Sequence, residues 1–331
     1  MITIGIIANP SSGKDIRRLV SHATVVDNNE KVNIVERIIL GAQGCGVEKV
    51  YIMPDTFQIG YRVIDKLSIS KELNTNIEVL DMNINGETKD SVIAAKDMED
   101  KKVGALVVLG GDGTNRAVAK SVKHVPIISL STGTNNVYPE MIEGTVAGMA
   151  AAVVASGKYL LEDISRKDKQ IEIYKNGAFT DIALVDAVIS KKFVIGSRAI
   201  WDMEDIVKVI VSRAHPASIG FSSLVGCNVI VKENDDFGAC IDLTEDKYKV
   251  IAPIAAGILK EVKLGSAQRI KLNEKYIIKP KYNGMIALDG EREIPFKADD
   301  ALVVKITRNG PYHVDIKKTL EIAQRDGFFN K

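Results

Sequence analysis

The chain has 331 residues, a formal net charge of +1 and 46% hydrophobic residues. This length is enough for two domains, and the near-neutral charge gives no general electrostatic reason to expect a nucleic-acid partner or an acidic membrane surface. No apolar run approaches the roughly 20 residues of a membrane-spanning helix. The three cysteines are dispersed, and the N-terminus lacks the features of a signal peptide, so we expect a cytoplasmic protein.

The first half of the sequence alternates predicted strands with predicted helices. Apolar runs short enough for buried strands recur at 2–8, 49–53, 77–80, 103–109 and 125–130. Apolar residues at helical spacing lie between and after them, at 31–44, 57–70, 88–100 and 140–156. This alternation predicts an α/β fold, a Rossmann-like doubly wound parallel sheet, over residues 1–157.

From residue 158 the pattern changes to short strands. Strand-like segments recur at 169–175, 179–189, 228–232, 247–252, 276–280, 285–288 and 301–307. Asn-Gly and Asp-Gly turns separate several of them, which indicates a mostly antiparallel, β-rich domain over 158–314. Two helices are also predicted, 200–213 with the sole tryptophan, Trp201, and 319–326. We expect the C-terminal segment, about 315–331, to pack back on the first domain.

The most informative stretch is Gly110-Gly111-Asp112-Gly113-Thr114, between an apolar strand and a short amphipathic helix. Glycines let the backbone approach a ligand closely, and the first turn of a helix offers unpaired N–H groups to a phosphate. Asp112 would repel phosphates unless it binds Mg²⁺ or takes a proton from an attacking hydroxyl. The alternative is a tight structural turn with Asp112 as a helix cap. No Gly-Lys-Ser/Thr follows, so this is not a Walker loop.

Two other polar loops follow predicted strands of the first domain. Asn9 to Lys14 comes after the first strand, at the edge where ligands bind in open α/β sheets. Lys14, Arg17 and Arg18 could contact phosphate there or be solvated surface charges. The loop Ser131 to Pro139 comes after the fifth strand. Its hydroxyls and amides could bind phosphate, ribose or a nucleobase, or could cap the helix that follows.

Carboxylates of the second domain are further candidates. Asp186 lies in an apolar, strand-like segment, so it is either buried at a cost or faces a cleft. Asp289-Gly290-Glu291 follows another strand. Because Asp-Gly is a strong hairpin signal, this tripeptide could be a plain turn. Alternatively, Asp289 or Glu291 lies in a cleft, near Mg²⁺ or the acceptor hydroxyl.

GGDGT at 110–114, the Gly-Thr-Asn-Asn loop at 133–136 and Asp289-Gly290-Glu291 together resemble the NAD kinase and diacylglycerol kinase superfamily. The stretch IIANPSSGKDIRRLV at 6–20 and Met53-Pro54-Asp55 resemble its AcoX type, ATP-NAD kinase homologues found with acetoin-catabolism genes. The resemblance implies that a Rossmann-like domain meets a β-sandwich-like domain. It also implies that ATP, Mg²⁺ and the acceptor bind in the cleft between them.

The resemblance also implies roles for individual residues. Asp112 would accept the proton, and Glu291 is a second candidate for this catalytic role. Acceptor contacts would come from Asp186 and Asn136, and a metal contact from Asp289. Nucleotide contacts would come from Asn9, Gly110, Gly111, Gly113, Thr114, Thr132, Gly133, Thr134 and Asn135.

The expected activity is phosphoryl transfer from ATP to a hydroxyl, first of all that of NAD⁺, giving NADP⁺. Val185 stands where NAD kinases have an asparagine, and residues 252–257 replace their Gly-Ser-Thr-Ala-Tyr signature. Both departures count against NAD⁺, and Val185 favours another small alcohol or a sugar-like metabolite as the second choice. A lipid acceptor and a non-catalytic nucleotide-binding regulator are the remaining alternatives. We expect small-molecule substrates and a homo-oligomer, a dimer or a tetramer, without nucleic acid or a membrane span.

Overall fold

The computed structural model describes residues 1–12, 21–191 and 203–330, without the side chains of Arg292 and Glu293. The expectations for Lys14, Arg17, Arg18 and Trp201 therefore lie outside the described residues. Within the described ranges, none of the helices combines the length and the apolar character needed to cross a bilayer.

The N-terminal half forms a sheet with helices packed on it. Its strands are β1 (Thr3–Ala8), β2 (Lys49–Ile52), β3 (Asn76–Val79), β4 (Ala105–Gly110), β5 (Ile127–Ser131) and β6 (Ser165–Lys167). Its helices are α1 (Asn28–Gly44), α2 (Ile59–Ile69), α3 (Thr88–Asp100), α4 (Asp112–Ala119), α5 (Gly144–Ala155) and α6 (Leu161–Ile164). The neighbouring strands from β1 to β5 are parallel, as the alternation of strands and helices predicted.

The last strand and helix of the chain return to this sheet. Strand β19 (Tyr312–Val314) completes the order β3-β2-β1-β4-β5-β19-β6. His313 pairs with Ile127 of β5 in parallel and with Arg166 of β6 in antiparallel orientation. Helix α8 (Ile316–Arg325) then packs against α5 and α6.

The strand order places three loops at one edge of the sheet. Strand β1 lies between β2 and β4, so the order reverses here and the loops after β1 and β4 flank a topological switch point. Ala8 pairs with Leu109, and the Asn9 N–H donates to the Leu109 carbonyl oxygen at 3.1 Å. Gly110 pairs with Ser131 at the end of β5. The loops after β1, β4 and β5 therefore lie side by side.

Close helix packing covers one face of the sheet. Helices α1 and α5 approach so closely that a β-carbon at Gly148 would lie 2.1 Å from the Ile38 carbonyl oxygen. All six residues of β4 are buried. Because helices cover the centre of this sheet, the strands β1, β4 and β5 are buried almost throughout, whereas β2 and β3 nearer the edge alternate in exposure.

The remaining residues form antiparallel sheets. Their strands are β7 (Gln170–Lys175), β8 (Ala178–Ala183), β9 (Asp186–Ser190), β10 (Ile206–Val211), β11 (Phe237–Asp242), β12 (Tyr248–Ala255), β13 (Ile258–Leu264), β14 (Gln268–Lys271), β15 (Tyr276–Ile278), β16 (Gly284–Leu288), β17 (Glu291–Phe296) and β18 (Leu302–Thr307), with one helix, α7 (Phe221–Gly226). The larger sheets have the orders β14-β11-β10-β9-β16-β17 and β15-β18-β7-β8. A shared apolar core, with Ile173 and Val304 from one sheet and Ile210 and Ile286 from the other, joins them.

Three predicted elements of this region are wrong. The predicted strand 179–189 is two strands, β8 and β9, separated by Leu184 and Val185. Residues 206–211 of the predicted helix form strand β10, because the run from Ile206 to Val211 is β-branched apart from one lysine. Residues 228–232 form no strand, and only Val231 makes an isolated bridge, to Ala214.

Candidate active site

Loops from both parts of the fold enclose a cleft of about 270 Å³ at the carboxyl edge of the first sheet. The predicted site residues on its wall are Asn9, Gly111, Asp112, Gly113, Thr114, Gly133, Thr134, Asn135, Asn136, Asp289 and Glu291. Residues of the switch point thus meet the Asp-Gly-Glu turn between β16 and β17.

Three predicted site residues are not on this wall. Gly110 ends β4, and a β-carbon there would lie 2.6 Å from the Thr114 side chain. Thr132 is fully buried, and its hydroxyl donates to the Ser12 Oγ at 3.1 Å. Asp186 is 7% exposed at the start of β9. These residues support the loops that form the cleft, and the ligand contacts expected of them stay predictions.

The glycine loop leads directly into α4. Gly111 is the N-cap in an extended conformation, and Asp112 is the first helical residue, so Asp112 is not the cap. The Asn9 Nδ2 donates to the Thr114 Oγ1 at 3.0 Å, which joins the loop after β1 to the first turn of α4. The N–H groups of a first helical turn have no intrahelical partner and suit an anion.

Asp112 joins the glycine loop to the loop after β5. Its carboxylate accepts hydrogen bonds from the backbone N–H groups of Val137 at 3.0 Å and Tyr138 at 2.8 Å. The residue is 6% exposed and forms part of the cleft wall. The carboxylate therefore has a fixed orientation beside the cleft.

Polar side chains hold the loop after β5 in place. The Asn136 Nδ2 donates to the Ser131 Oγ at 2.8 Å, and the Thr134 Oγ1 accepts from the Thr24 N–H at 3.1 Å. The Asn135 Oδ1 accepts from the Ala256 N–H at 3.2 Å, which ties this loop to the β12–β13 hairpin. Asn135 and Asn136 thus have structural partners while they line the cleft.

The Asp-Gly-Glu turn is both a hairpin and part of the cleft. Asp289 and Gly290 have φ of 49° and 82°, the left-handed conformations that an Asp-Gly hairpin turn needs. The Asp289 carboxylate accepts from the N–H groups of Leu184 and Val185, each at 2.8 Å. Burial raises the pKa of Asp289 to about 6, although Arg116 and these N–H groups oppose the rise.

Arg116 on α4 joins this turn to the N-terminal part of the fold. The side chain is 1% exposed, and its Nη2 lies 3.0 Å from the Glu291 Oε2. Its Nη1 lies 3.3 Å from the Asp181 Oδ2, and its Nε lies 3.9 Å from the Asp289 Oδ2. Sequence reasoning missed Arg116. The available signal was its position four residues after Asp112, which puts both side chains on one face of the helix.

Lys31 on α1 is a second residue that sequence reasoning missed. It is 1% exposed, and its Nζ donates to the carbonyl oxygens of Asn9 at 3.0 Å and Ser12 at 2.9 Å. It also donates to the Asn28 Oδ1 at 3.1 Å. The available signal was the helical spacing of Lys31 with the apolar positions 35, 38 and 42. This spacing places its charge on the core face of the helix.

A buried polar cluster anchors Tyr138, which donates to Asp112. The Tyr138 ring stacks on His313 at 4.9 Å, and the Arg213 guanidinium lies 4.7 Å from the ring centroid. Asp168 accepts from Arg166 at 2.8 Å and Arg213 at 3.1 Å, and lies 3.1 Å from the His313 Nδ1. Burial alone would raise the pKa of Asp168, but Arg213 and His313 hold this pKa well below its usual range.

Comparison with solved structures identifies the fold. Yeast NADH kinase complexed with NADH matches with a TM-score of 0.51 and 12% identity, over 100% of this chain and 89% of that chain. A putative diacylglycerol kinase from Bacillus anthracis str. Sterne matches with a TM-score of 0.51 and 11% identity, over 95% of this chain and 97% of that chain. The fold is that of the NAD kinase superfamily, as the sequence predicted.

Sequence relatives identify the family. Residues 4–159 match the ATP-NAD kinase N-terminal domain, and residues 169–309 match the acetoin catabolism protein X C-terminal domain. The chain is 38% identical to acetoin catabolism protein X of Cupriavidus necator over 334 residues, 97% of this chain and 92% of that protein. The chain belongs to the acetoin catabolism protein X family, within the NAD kinase superfamily, and the AcoX-type resemblance is confirmed.

Proposed function

We propose that the protein is an ATP-dependent phosphotransferase that phosphorylates a hydroxyl group in the cleft. One observation carries the proposal: Asp112, in the first turn of α4, and Glu291, from the other domain, lie on the wall of the same cleft. Catalysis of phosphoryl transfer requires anion-binding N–H groups for the phosphates and a carboxylate for the hydroxyl proton. The cleft contains both, which supports a kinase rather than a pure nucleotide sensor.

The proposed reaction is a direct in-line transfer. The acceptor oxygen attacks the γ-phosphorus of ATP and forms a new P–O bond, while the bond to the β,γ-bridging oxygen breaks. ADP leaves with the electron pair of that bond, and the hydroxyl proton moves to a carboxylate. Asp112 is the first candidate for this base because its carboxylate is held in one orientation by two backbone N–H groups. Glu291 is the second candidate, since its side chain is 46% exposed.

The donor set of the cleft fits a magnesium ion that enters together with ATP. No group of three or more His, Cys, Asp or Glu side chains in the described part of the chain could hold a metal ion by itself. Mg²⁺ in kinase sites is bound through one or two carboxylates, substrate phosphates and water. Glu291 or Asp289 would supply the carboxylate, and the ion would neutralise charge on the phosphoryl oxygens.

NAD⁺ is the first acceptor we propose. The match to the ATP-NAD kinase domain and the likeness to yeast NADH kinase support this choice. A different small alcohol is the second candidate, favoured by Val185. This side chain is buried and apolar, and the residue's N–H already donates to Asp289 at 2.8 Å. The position therefore offers no amide to a dinucleotide.

The test is to incubate the protein with Mg·ATP and a panel of hydroxyl compounds that includes NAD⁺, and to identify phosphorylated products by mass. Formation of NADP⁺ supports the first acceptor, and phosphorylation of another alcohol or a lipid supports an alternative. Asp112→Asn is assayed beside the wild type. Asp100→Asn is its matched control, because Asp100 lies on the surface and pairs with Lys96 far from the cleft. Binding of ATP without turnover on any compound would contradict the proposal and favour a regulator.

A further inference from the structure

We propose that Arg116 is a positioning residue that joins the two domains across the cleft and holds Glu291 against the glycine loop. The inference rests on the proposed function, because it assigns a role in the same cleft. It depends on contacts that none of the sequence motifs predicts.

Arg116 contacts three carboxylates. Asp181, Asp289 and Glu291 all belong to the β-rich domain, whereas Arg116 belongs to α4 of the first domain. The planar guanidinium has five N–H donors in a fixed fork, so it can bond to several carboxylates at once. With 1% exposure, this contact lies inside the interface between the domains.

Glu291 lies beside the glycine loop. A β-carbon at Gly113 would lie 2.5 Å from the Glu291 Oε1, so the carboxylate lies directly on the first turn of α4. The Glu291 side chain is 46% exposed, and burial therefore does little to fix it. Its bond to the Arg116 Nη2 at 3.0 Å supplies an orienting contact from the first domain.

Lys120, one turn after Arg116, also contacts Asp181. Its Nζ lies 2.8 Å from Asp181, so it forms a second cation contact between the same two elements. The lysine side chain is about one third exposed, while that of Arg116 is buried. Lys120 is therefore a matched control that removes a charge from the same helix face.

Loss of Arg116 should move the turn rather than the phosphate-binding loops. Without the guanidinium, Asp181 keeps Lys120, but Asp289 and Glu291 lose the cation that they share, and Glu291 loses the contact that holds it beside Gly113. A misplacement of about 1 Å can lower a rate by about 10²-fold. The loops after β1 and β4 carry the proposed ATP contacts and are joined to each other by Asn9 and Thr114. We therefore expect a lower kcat and a raised acceptor KM, with the KM for ATP nearly unchanged.

The kinetic experiment compares Arg116→Met, Arg116→Lys and Lys120→Met on the acceptor found in the product screen. We expect kcat to fall by about 10²-fold in Arg116→Met, with partial recovery in Arg116→Lys and no change in Lys120→Met. In a Glu291→Gln background, Arg116→Met should have little further effect, because the two residues act together. A folded Arg116→Met variant with wild-type kcat and acceptor KM, or an equal loss in the Glu291→Gln background, would overturn the inference.

A second measurement does not depend on activity. Amide hydrogen exchange at residues 289–293 should be faster in Arg116→Met than in Lys120→Met, while exchange at 111–114 stays similar. If Arg116→Met does not fold, Asp181→Asn is used in its place. This substitution weakens one contact of the Arg116 guanidinium and leaves the Asp-Gly-Glu turn unchanged, so exchange at residues 289–293 should again be faster. Unchanged exchange would contradict the positioning role even if no acceptor is phosphorylated. Faster exchange without any transfer would support the contact and count against the proposed function alone.

Discussion

The Nζ of Lys31 lies 3.0 Å from the carbonyl oxygen of Asn9, inside the loop that follows β1. The same ammonium group donates to Ser12 at 2.9 Å. A buried lysine is unusual, and here its charge is compensated by backbone and side-chain oxygens. Lys31 therefore fixes the shape of the loop that lines the cleft and adds a positive charge beneath it.

Replacing Lys31 with methionine should weaken both the fold and ATP binding. The Asn9 carbonyl oxygen keeps the Ser12 N–H and hydroxyl as donors, but the buried Ser12 carbonyl oxygen loses the ammonium group, which costs about 1–3 kcal/mol of unfolding free energy. We also expect a higher KM for ATP, because the loop loses its support and the cleft loses a nearby positive charge. Lys66→Met is the control, since Lys66 pairs with Glu36 on the surface. Denaturant unfolding measures the difference, and equal stability of the two variants would contradict this role of Lys31.

Asp112→Asn tests the proposed general base. The asparagine keeps an oxygen that can accept from the Tyr138 N–H, so we expect a folded protein with a similar melting temperature. A general base contributes about 10²–10⁴-fold to a rate, and ADP release should fall by that factor. Glu291→Gln is measured beside it, and the base is the residue whose neutralisation lowers the rate of ADP release more. A near-wild-type rate for Asp112→Asn would exclude Asp112 from this role.

Asp168→Asn should destabilise the protein in a pH-dependent manner. The pKa of Asp168 in the folded protein is well below its usual range, so the ionised carboxylate stabilises the fold above about pH 4, the pKa of an unfolded aspartate. Breaking a buried ion pair costs about 3–5 kcal/mol at neutral pH. As pH falls below about 4, wild type loses this stabilisation and the difference between the two proteins narrows. Unfolding free energies between pH 3 and 7 measure this effect.

The control for Asp168 is Asp100→Asn, which removes one partner of an exposed pair with Lys96. Exposed pairs contribute about 0–1 kcal/mol, so little change is expected at any pH. A constant difference between wild type and Asp168→Asn from pH 7 to 3 would show that ionisation of Asp168 does not stabilise the fold.

Gly148→Ala tests the close packing of α1 on α5. The added carbon would lie 2.1 Å from the Ile38 carbonyl oxygen, and backbone cannot move away easily, so we expect a loss of about 1–3 kcal/mol. In α1, Gly44 has no atom within 4 Å of an added β-carbon. Gly44→Ala should therefore be neutral or stabilise the protein by up to about 1 kcal/mol. Thermal unfolding measures the melting temperatures of Gly148→Ala and Gly44→Ala. Equal values would contradict the close packing of α1 on α5 at Gly148.

Much of the first domain could be predicted because its signals are local. The predicted helix 88–100 coincides with α3, and the apolar runs match β1 to β5 within two residues at most boundaries. The glycine loop after β4 was recognisable because strand, turn and helix are contiguous in sequence. The cleft residues Asn9, Asp112 and Asn135 could be grouped because parallel strands bring their loops to one edge.

The second domain and the contacts of the site were harder to predict. The sequence of β10 predicts a helix, since a short apolar run fits both the helical and the strand period. The sequence predicts no separate strand at four places, because apolar and polar residues do not alternate regularly there. These are β11, β13, β14 and β17. The sequence assigns no role to Arg116, Lys31 or His313 for another reason. Each becomes important only through partners far away in the sequence, such as Glu291, Asn9 and Asp168.

The place of β19 has a consequence for how the chain reaches its native state. This strand lies between β5 and β6, yet more than 140 residues separate it from β6. During synthesis the ribosome delivers strands β1 to β5 long before β19, so the edge of β5 that pairs with β19 stays unpaired until residues 312–314 have emerged. Such a long-range closure is slow and leaves the nascent protein open to aggregation. Strand β19 and helix α8 therefore complete the first sheet only after the residues of the antiparallel sheets have been synthesised.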